Sequence, residues 1–115
     1  MMSTMAMTPV EVGRAFIDAV EAKDPDAAAV LCSEDVEILL PGAETPVRGR
    51  DGVRQMIRLA PELVQTFRSE EQSGNEARVT TLTRAPGVFA NYTTWVFTTT
   101  DGRIEHLRFE LRAAN

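Results

Sequence analysis

Asn91, Thr93 and Trp95 alternate with Phe89 and Phe97 in the stretch Phe89–Thr99. Alternation of that kind puts all five side chains on one face of a strand. A face with an amide, a hydroxyl and three aromatic rings can hold an apolar ligand, with Asn91 or Thr93 orienting its carbonyl or hydroxyl. The plainer alternative is polar groups satisfied by backbone. Trp95 fits as wall rather than chemistry. His106 is the single histidine, and an imidazole titrates in the range that suits acid–base work near neutral pH. Strict alternation groups it with Ile104, Arg108 and Glu110, and sets Leu107, Phe109 and Leu111 on the opposite, apolar face. His106 and Glu110 are therefore weak catalytic candidates on the outer face; Glu110 turns inward only if the strand bulges.

Other reactive side chains read as structural. Glu37 lies between Val36 and Ile38 and reads as a solvated surface acid. Glu70 and Glu71 read as solvent-facing, although a regular strand turns one of them inward. Cys32 follows Val30 and Leu31 and reads as a small buried hydrophobe. One histidine, one cysteine and scattered acids form no ligand-spaced metal cluster. No glycine-rich phosphate loop occurs, so neither metal nor cofactor is expected.

Composition narrows the partners. Twelve basic against seventeen acidic residues give a formal charge of −5, which argues against nucleic acid as a partner. No apolar stretch approaches the about 20 residues needed to span a bilayer, so no membrane association is expected. A lone cysteine rules out an internal disulfide and fits a cytoplasmic location. Met1–Met7 has no basic n-region and reads as a disordered leader. Residues 8–115 then make one domain.

Helices and strands must position these groups. Thr8-Pro9-Val10-Glu11 is a capping box with proline at the first helical position. Val12, Phe16, Ala19 and Val20 follow at helical spacing. Asp24-Pro25 starts a second, alanine-rich helix, and Val36–Leu40 reads as a strand ended by Pro41-Gly42. A loop follows, then a third helix capped by Asp51 and stopped at Pro61. Beyond Gln65, four β-rich segments cover residues 65–72, 77–84, 89–99 and 103–112. Breaks at Ser73-Gly74-Asn75, Pro86-Gly87 and Asp101-Gly102 are too short for parallel returns, so the segments form an antiparallel meander. The expectation is an α+β domain: three N-terminal helices packed on a curved, mainly antiparallel sheet.

The stretch from Ala15 to Ile57, AFIDAVEAKDPDAAAVLCSEDVEILLPGAETPVRGRDGVRQMI, resembles the nuclear transport factor 2-like superfamily, also called SnoaL-like. AKDPDAAAVLCSEDVEI, PVRGRDGV and the closing hairpin DGRIEHLRFEL carry the likeness. The resemblance implies a cone-shaped α+β barrel of cystatin-like fold, with a pocket at its mouth and homodimers formed through the outer sheet face. The superfamily includes ketosteroid isomerases, polyketide cyclases, limonene epoxide hydrolase-type enzymes and non-catalytic binding domains. Its catalytic positions are not filled here. Where the isomerase pattern has a carboxylate base, this chain has Leu40; where it has a phenol, Phe16; where it has a protonated acid, Thr94 or Trp95. The acid that hydrolases and cyclases carry on the last strand falls at Phe109. Leucine cannot abstract a proton and phenylalanine cannot donate a hydrogen bond.

Two functions follow as expectations. The first is a binding domain for a hydrophobic small molecule, with a pocket made by Phe16, Leu40, Asn91, Thr93, Trp95, Phe97, Leu107 and Phe109. The second is an isomerase, polyketide cyclase or hydratase/hydrolase acting on a polycyclic or terpenoid-like compound, drawing polar groups from Asn91, Tyr92, Thr93, His106 and Glu110. A buried ionisable group in the pocket separates them, because acid–base catalysis requires one.

Overall fold

The computed structural model describes residues 7–114; apart from Met7, the expected leader lies outside the described residues. The capping box forms as written. Thr8 Oγ1 accepts from the Glu11 N–H at 3.2 Å, and Glu11 Oε1 accepts from the Thr8 N–H at 2.8 Å. They open α1 (Pro9–Ala22), which Lys23 closes in the left-handed conformation with φ of 54°. Asp24 caps α2 (Pro25–Val30), accepting from the Ala27 N–H at 3.1 Å. β1 (Cys32–Leu39) starts four residues before the expected strand. β2 (Val47–Arg48) occupies what reads as loop and pairs antiparallel with β1. α3 (Gly49–Leu59) begins ahead of Asp51, which therefore sits in the first turn. There it pairs with Arg54 at 2.7 Å instead of capping.

Four long strands follow: β3 (Val64–Ser73), β4 (Glu76–Ala85), β5 (Phe89–Thr100) and β6 (Arg103–Ala113). They form the expected antiparallel meander. Asp101 and Gly102 both have positive φ, as a two-residue turn matching strand twist demands. One six-stranded sheet results, ordered β2-β1-β6-β5-β4-β3. β1 runs parallel to β6, the one parallel contact in it. The domain is thus α+β, with a mostly antiparallel sheet; β1 and β2 intervene between α2 and α3.

Two bulges decide which side chains face the helices. In the β5–β6 ladder Thr98 pairs with His106 but Thr99 pairs with Ile104, so Glu105 is the extra residue. Ile104 therefore joins Leu107 in the core, both essentially inaccessible, and does not share the face of His106 as strict alternation implies. In β3 the register shifts between Phe67 and Ser69. Beyond that bulge Glu70 pairs opposite Val79 and so lies on the helix-facing side, where it meets Arg14 of α1 at 3.2 Å, while Glu71 lies on the outer side; both remain exposed on this edge strand. The core joins Val12, Phe16 and Ile17 of α1 and Val53 and Ile57 of α3 to the inner face of the sheet. No helix among the described residues is long and apolar enough to cross a membrane.

Candidate functional site

The inner face of β5 grades from water to core. Phe89 is 43% exposed, Asn91 is half-buried, Thr93 is 6% exposed, Trp95 4% and Phe97 0%. A cavity of about 190 Å³ occupies the middle of this gradient, between helices and sheet. Val20 of α1 and Met56 and Ile57 of α3 form its roof, with Ala60 and Leu63 beyond α3. Leu40 and Pro41, just after β1, close one side. The sheet contributes Gln65, Thr83, Thr93, Trp95, Phe109 and Leu111. Pro41 and Leu111 are exposed and mark where the cavity meets solvent. A more open apolar cleft shares Leu40, Met56 and Ala60 with it.

Of the expected pocket residues, Leu40, Thr93, Trp95 and Phe109 are on this wall. Phe16, Phe97 and Leu107 are not: they are packed in the core behind it. The cause is Gly13. A Cβ there would lie 2.8 Å from Phe97 Cδ2 and Cε2, so its absence lets α1 settle on β5 and fill that end of the cup. Phe16 meets Trp95 and Phe97 edge-on, with centroids 6.4 and 6.0 Å apart, and Trp95 meets Phe109 edge-on at 5.0 Å. These contacts immobilise the indole that forms the cavity floor. Asn91 lies two residues nearer the solvent end than Thr93 and falls outside the wall, as does Phe89.

The polar content of the wall is a network that joins the expected Thr93 to Thr81 and Thr83 and to Gln65, which carries no local signal of its own. Register sets Gln65 opposite Thr83 and Thr81 opposite Thr93. Gln65 Oε1 accepts from Thr81 Oγ1 at 2.8 Å and from Thr83 Oγ1 at 2.7 Å. The Thr83 and Thr93 hydroxyls are 3.0 Å apart. Trp95 Nε1 donates to Thr81 Oγ1 at 3.0 Å. The signal for the two β4 threonines was available in Thr80-Thr81-Leu82-Thr83, where threonines continue the inward positions of Ala77 and Val79. α1 anchors the segment carrying Gln65: Glu21 Oε2 accepts from the Gln65 N–H at 2.8 Å, and Lys23 Nζ donates to the Ala60 carbonyl.

Ionisable groups stand elsewhere. Among the described residues, the wall carries none. His106 is on the outer face of the sheet, its Nδ1 3.9 Å from Glu37 Oε1. Glu37 also pairs with Arg48 at 3.2 Å, so it is a partnered rather than a lone acid. Glu110 is on the same outer face, 2.6 Å from Arg78 and 3.0 Å from Arg108. The Arg108 hydrogen bond, with the charges of both guanidinium groups, holds its carboxyl below the usual range. Tyr92 lies under the Arg112 guanidinium, 4.8 Å from its ring centre. Burial pushes the Cys32 thiol up to about 12, against a smaller lowering by the Arg50 charge. No group of three or more His, Cys, Asp or Glu suited to a metal occurs among the described residues.

A helix-roofed sheet with a mostly apolar cavity defines a class of small α+β pocket domains. Residues 13–107 match the SnoaL-like domain, and the chain belongs to that family, within the nuclear transport factor 2-like superfamily. A crystal structure of a protein from Sphaerobacter thermophilus is similar, with TM-score 0.85 and 24% identity over 95% of this chain and 100% of that one. A protein from Kribbella flavida proposed to be a ketosteroid isomerase has TM-score 0.79 and 19% identity over 90% of this chain and 77% of that one. A protein from Sinorhizobium meliloti proposed to be a polyketide cyclase has TM-score 0.75 and 22% identity over 90% and 100%. At these identities the likeness is one of fold. No curated protein matches the chain.

Proposed function

We propose that this protein is a small-molecule-binding domain whose cavity takes a compact, uncharged, largely apolar ligand. The observation that carries this reading is the wall itself, which has no ionisable side chain. Acid–base turnover needs a titratable group within hydrogen-bond reach of the reacting atoms, and His106 and Glu110 lie across the sheet. Size restricts the ligand further. An apolar cavity of about 150 Å³ accommodates benzene, so 190 Å³ holds one substituted ring. Burial of apolar surface at about 25 cal/mol per Å² then supplies the affinity.

The second reading, an isomerase, cyclase or hydratase, is favoured by the activities proposed for the Kribbella flavida and Sinorhizobium meliloti proteins. Solvent extraction of the purified protein, followed by mass spectrometry, separates the two. A binding domain releases its ligand unchanged after prolonged incubation. Conversion of that compound by the protein would overturn the first reading.

A homodimer formed through the outer sheet face accompanies the proposal. That face carries Leu39, 45% exposed, beside partnered charges. Sedimentation should give twice the chain mass of 12.7 kDa; a single-chain mass would rule the dimer out. A cytoplasmic location is proposed with it, on the buried free thiol of Cys32, and cell fractionation tests it.

A further inference from the structure

Gln65 is 9% exposed and forms part of the cavity wall. Its two amide ends are treated very differently. Oε1 accepts two hydroxyl hydrogen bonds, from Thr81 and Thr83. Nε2 is buried and has no hydrogen-bond partner among the described residues. The network favours this orientation. Trp95 Nε1 donates to Thr81 Oγ1, so the Thr81 hydrogen points elsewhere, and Gln65 Oε1 at 2.8 Å is nearer than Thr83 Oγ1 at 3.2 Å. Turned over, the amide would donate to the two hydroxyls and leave Oε1, in place of Nε2, without a partner.

A buried donor without a partner costs about 1–3 kcal/mol. Native structures hold few such groups, and each calls for an explanation. Here the donor belongs to a wall that is otherwise apolar or internally satisfied. The amide is also held at both ends: Glu21 accepts from its backbone N–H, and the threonines hold Oε1.

We propose that Gln65 Nε2 is the polar recognition point of the cavity, donating to a carbonyl or ether oxygen on an otherwise apolar, single-ring ligand. This deepens the binding reading and rests on it. The donor selects for an acceptor because a hydrocarbon of equal shape leaves it unpaired. A hydroxyl that only donates gains nothing, since Oε1 is already engaged. Selectivity therefore comes from one position, and shape from Trp95, Phe109 and Met56.

Two probes of nearly equal shape test it: acetophenone, and α-methylstyrene, in which a methylene replaces the carbonyl oxygen. Each is titrated into the ¹⁵N-labelled protein, and the Gln65 side-chain N–H₂ resonances are followed. We expect the ketone to bind roughly three- to tenfold more tightly and to shift those resonances, whereas the hydrocarbon binds without shifting them. Gln65→Met should bring the two affinities together. Equal affinities in the unaltered protein, with Gln65 resonances unmoved by the ketone, would overturn the recognition role and leave the binding reading standing. Binding of neither probe would overturn both. The wild-type measurement decides the matter even if the variant fails to fold.

Discussion

Gly13 on α1 and Phe97 on β5 are in such close contact that a Cβ on the glycine would come within 2.8 Å of two ring carbons. The ring is fully buried and in contact with Phe16 and Trp95, so it has nowhere to move. Gly13→Ala gains about 0.5–1 kcal/mol of helix propensity but forces an overpacked core costing about 1–3 kcal/mol. The expected outcome is a net loss of up to about 2.5 kcal/mol, seen as a lower urea midpoint with unchanged slope. A midpoint raised by the propensity gain would mean the helix does not rest on β5 as described.

Thr81 is the hub of the buried polar network. Its hydroxyl accepts from Trp95 and donates to Gln65, at 0% exposure. Thr81→Val keeps the volume and removes both bonds, leaving the indole N–H unpaired. Destabilisation of about 1–3 kcal/mol is expected, with a changed Trp95 emission spectrum. Calorimetry and fluorescence on the same sample check it.

Cys32 has its thiol pushed up to about 12 by burial. The native thiol should resist a thiol reagent at pH 8 and react only once denaturant exposes it. The pH dependence has a definite sign. The unfolded chain loses this proton near the ordinary value of 9.0, whereas the native one keeps it to about 12. Stability from this group is therefore complete below pH 9 and is lost as pH rises through that window. Cys32→Ala, compared by denaturation across pH 8–11, should flatten that part of the profile.

Glu110 and His106 belong to the outer face. Glu110→Gln and His106→Gln should each leave ligand affinity unchanged, and a severalfold loss in either would return them to the site. The Glu110 carboxyl should titrate below the ordinary carboxylate range, because Arg108 and Arg78 favour its charged form. Its stabilising contribution is present above that range and disappears as pH falls through the lowered value. Carbon-detected NMR of the side-chain carboxyl reads it directly.

Local patterns made most elements legible. The capping box of Thr8 and Glu11, and the turn chemistry at Ser73-Gly74-Asn75 and Asp101-Gly102, act over a few residues and can be read without the fold. The parallel pairing of β1 with β6, and the short β2, depend on contacts distant in sequence and leave no local mark. Ile104 illustrates the same limit: one bulged residue, Glu105, reverses the face that alternation assigns. The cavity was half legible. Thr93, Trp95 and Phe109 follow from alternation alone. Phe97 was misplaced because the depth of α1 depends on Gly13, a glycine inside a helix whose meaning appears only against its neighbour. Gln65 was missed because a strand's first inward residue looks like any polar residue until its partners are known.

On the proposed function, a neutral cavity floored by Trp95 takes compact uncharged molecules. Trp95 is the only tryptophan in the chain, so its fluorescence reports on that cavity alone. Titration with p-cymene should give a saturable change in emission. The ionised analogue 4-isopropylbenzoate should give none, since no cationic side chain lines the wall to offset the cost of burying its charge. Comparable binding of the carboxylate, or no saturable response to p-cymene, would contradict the account.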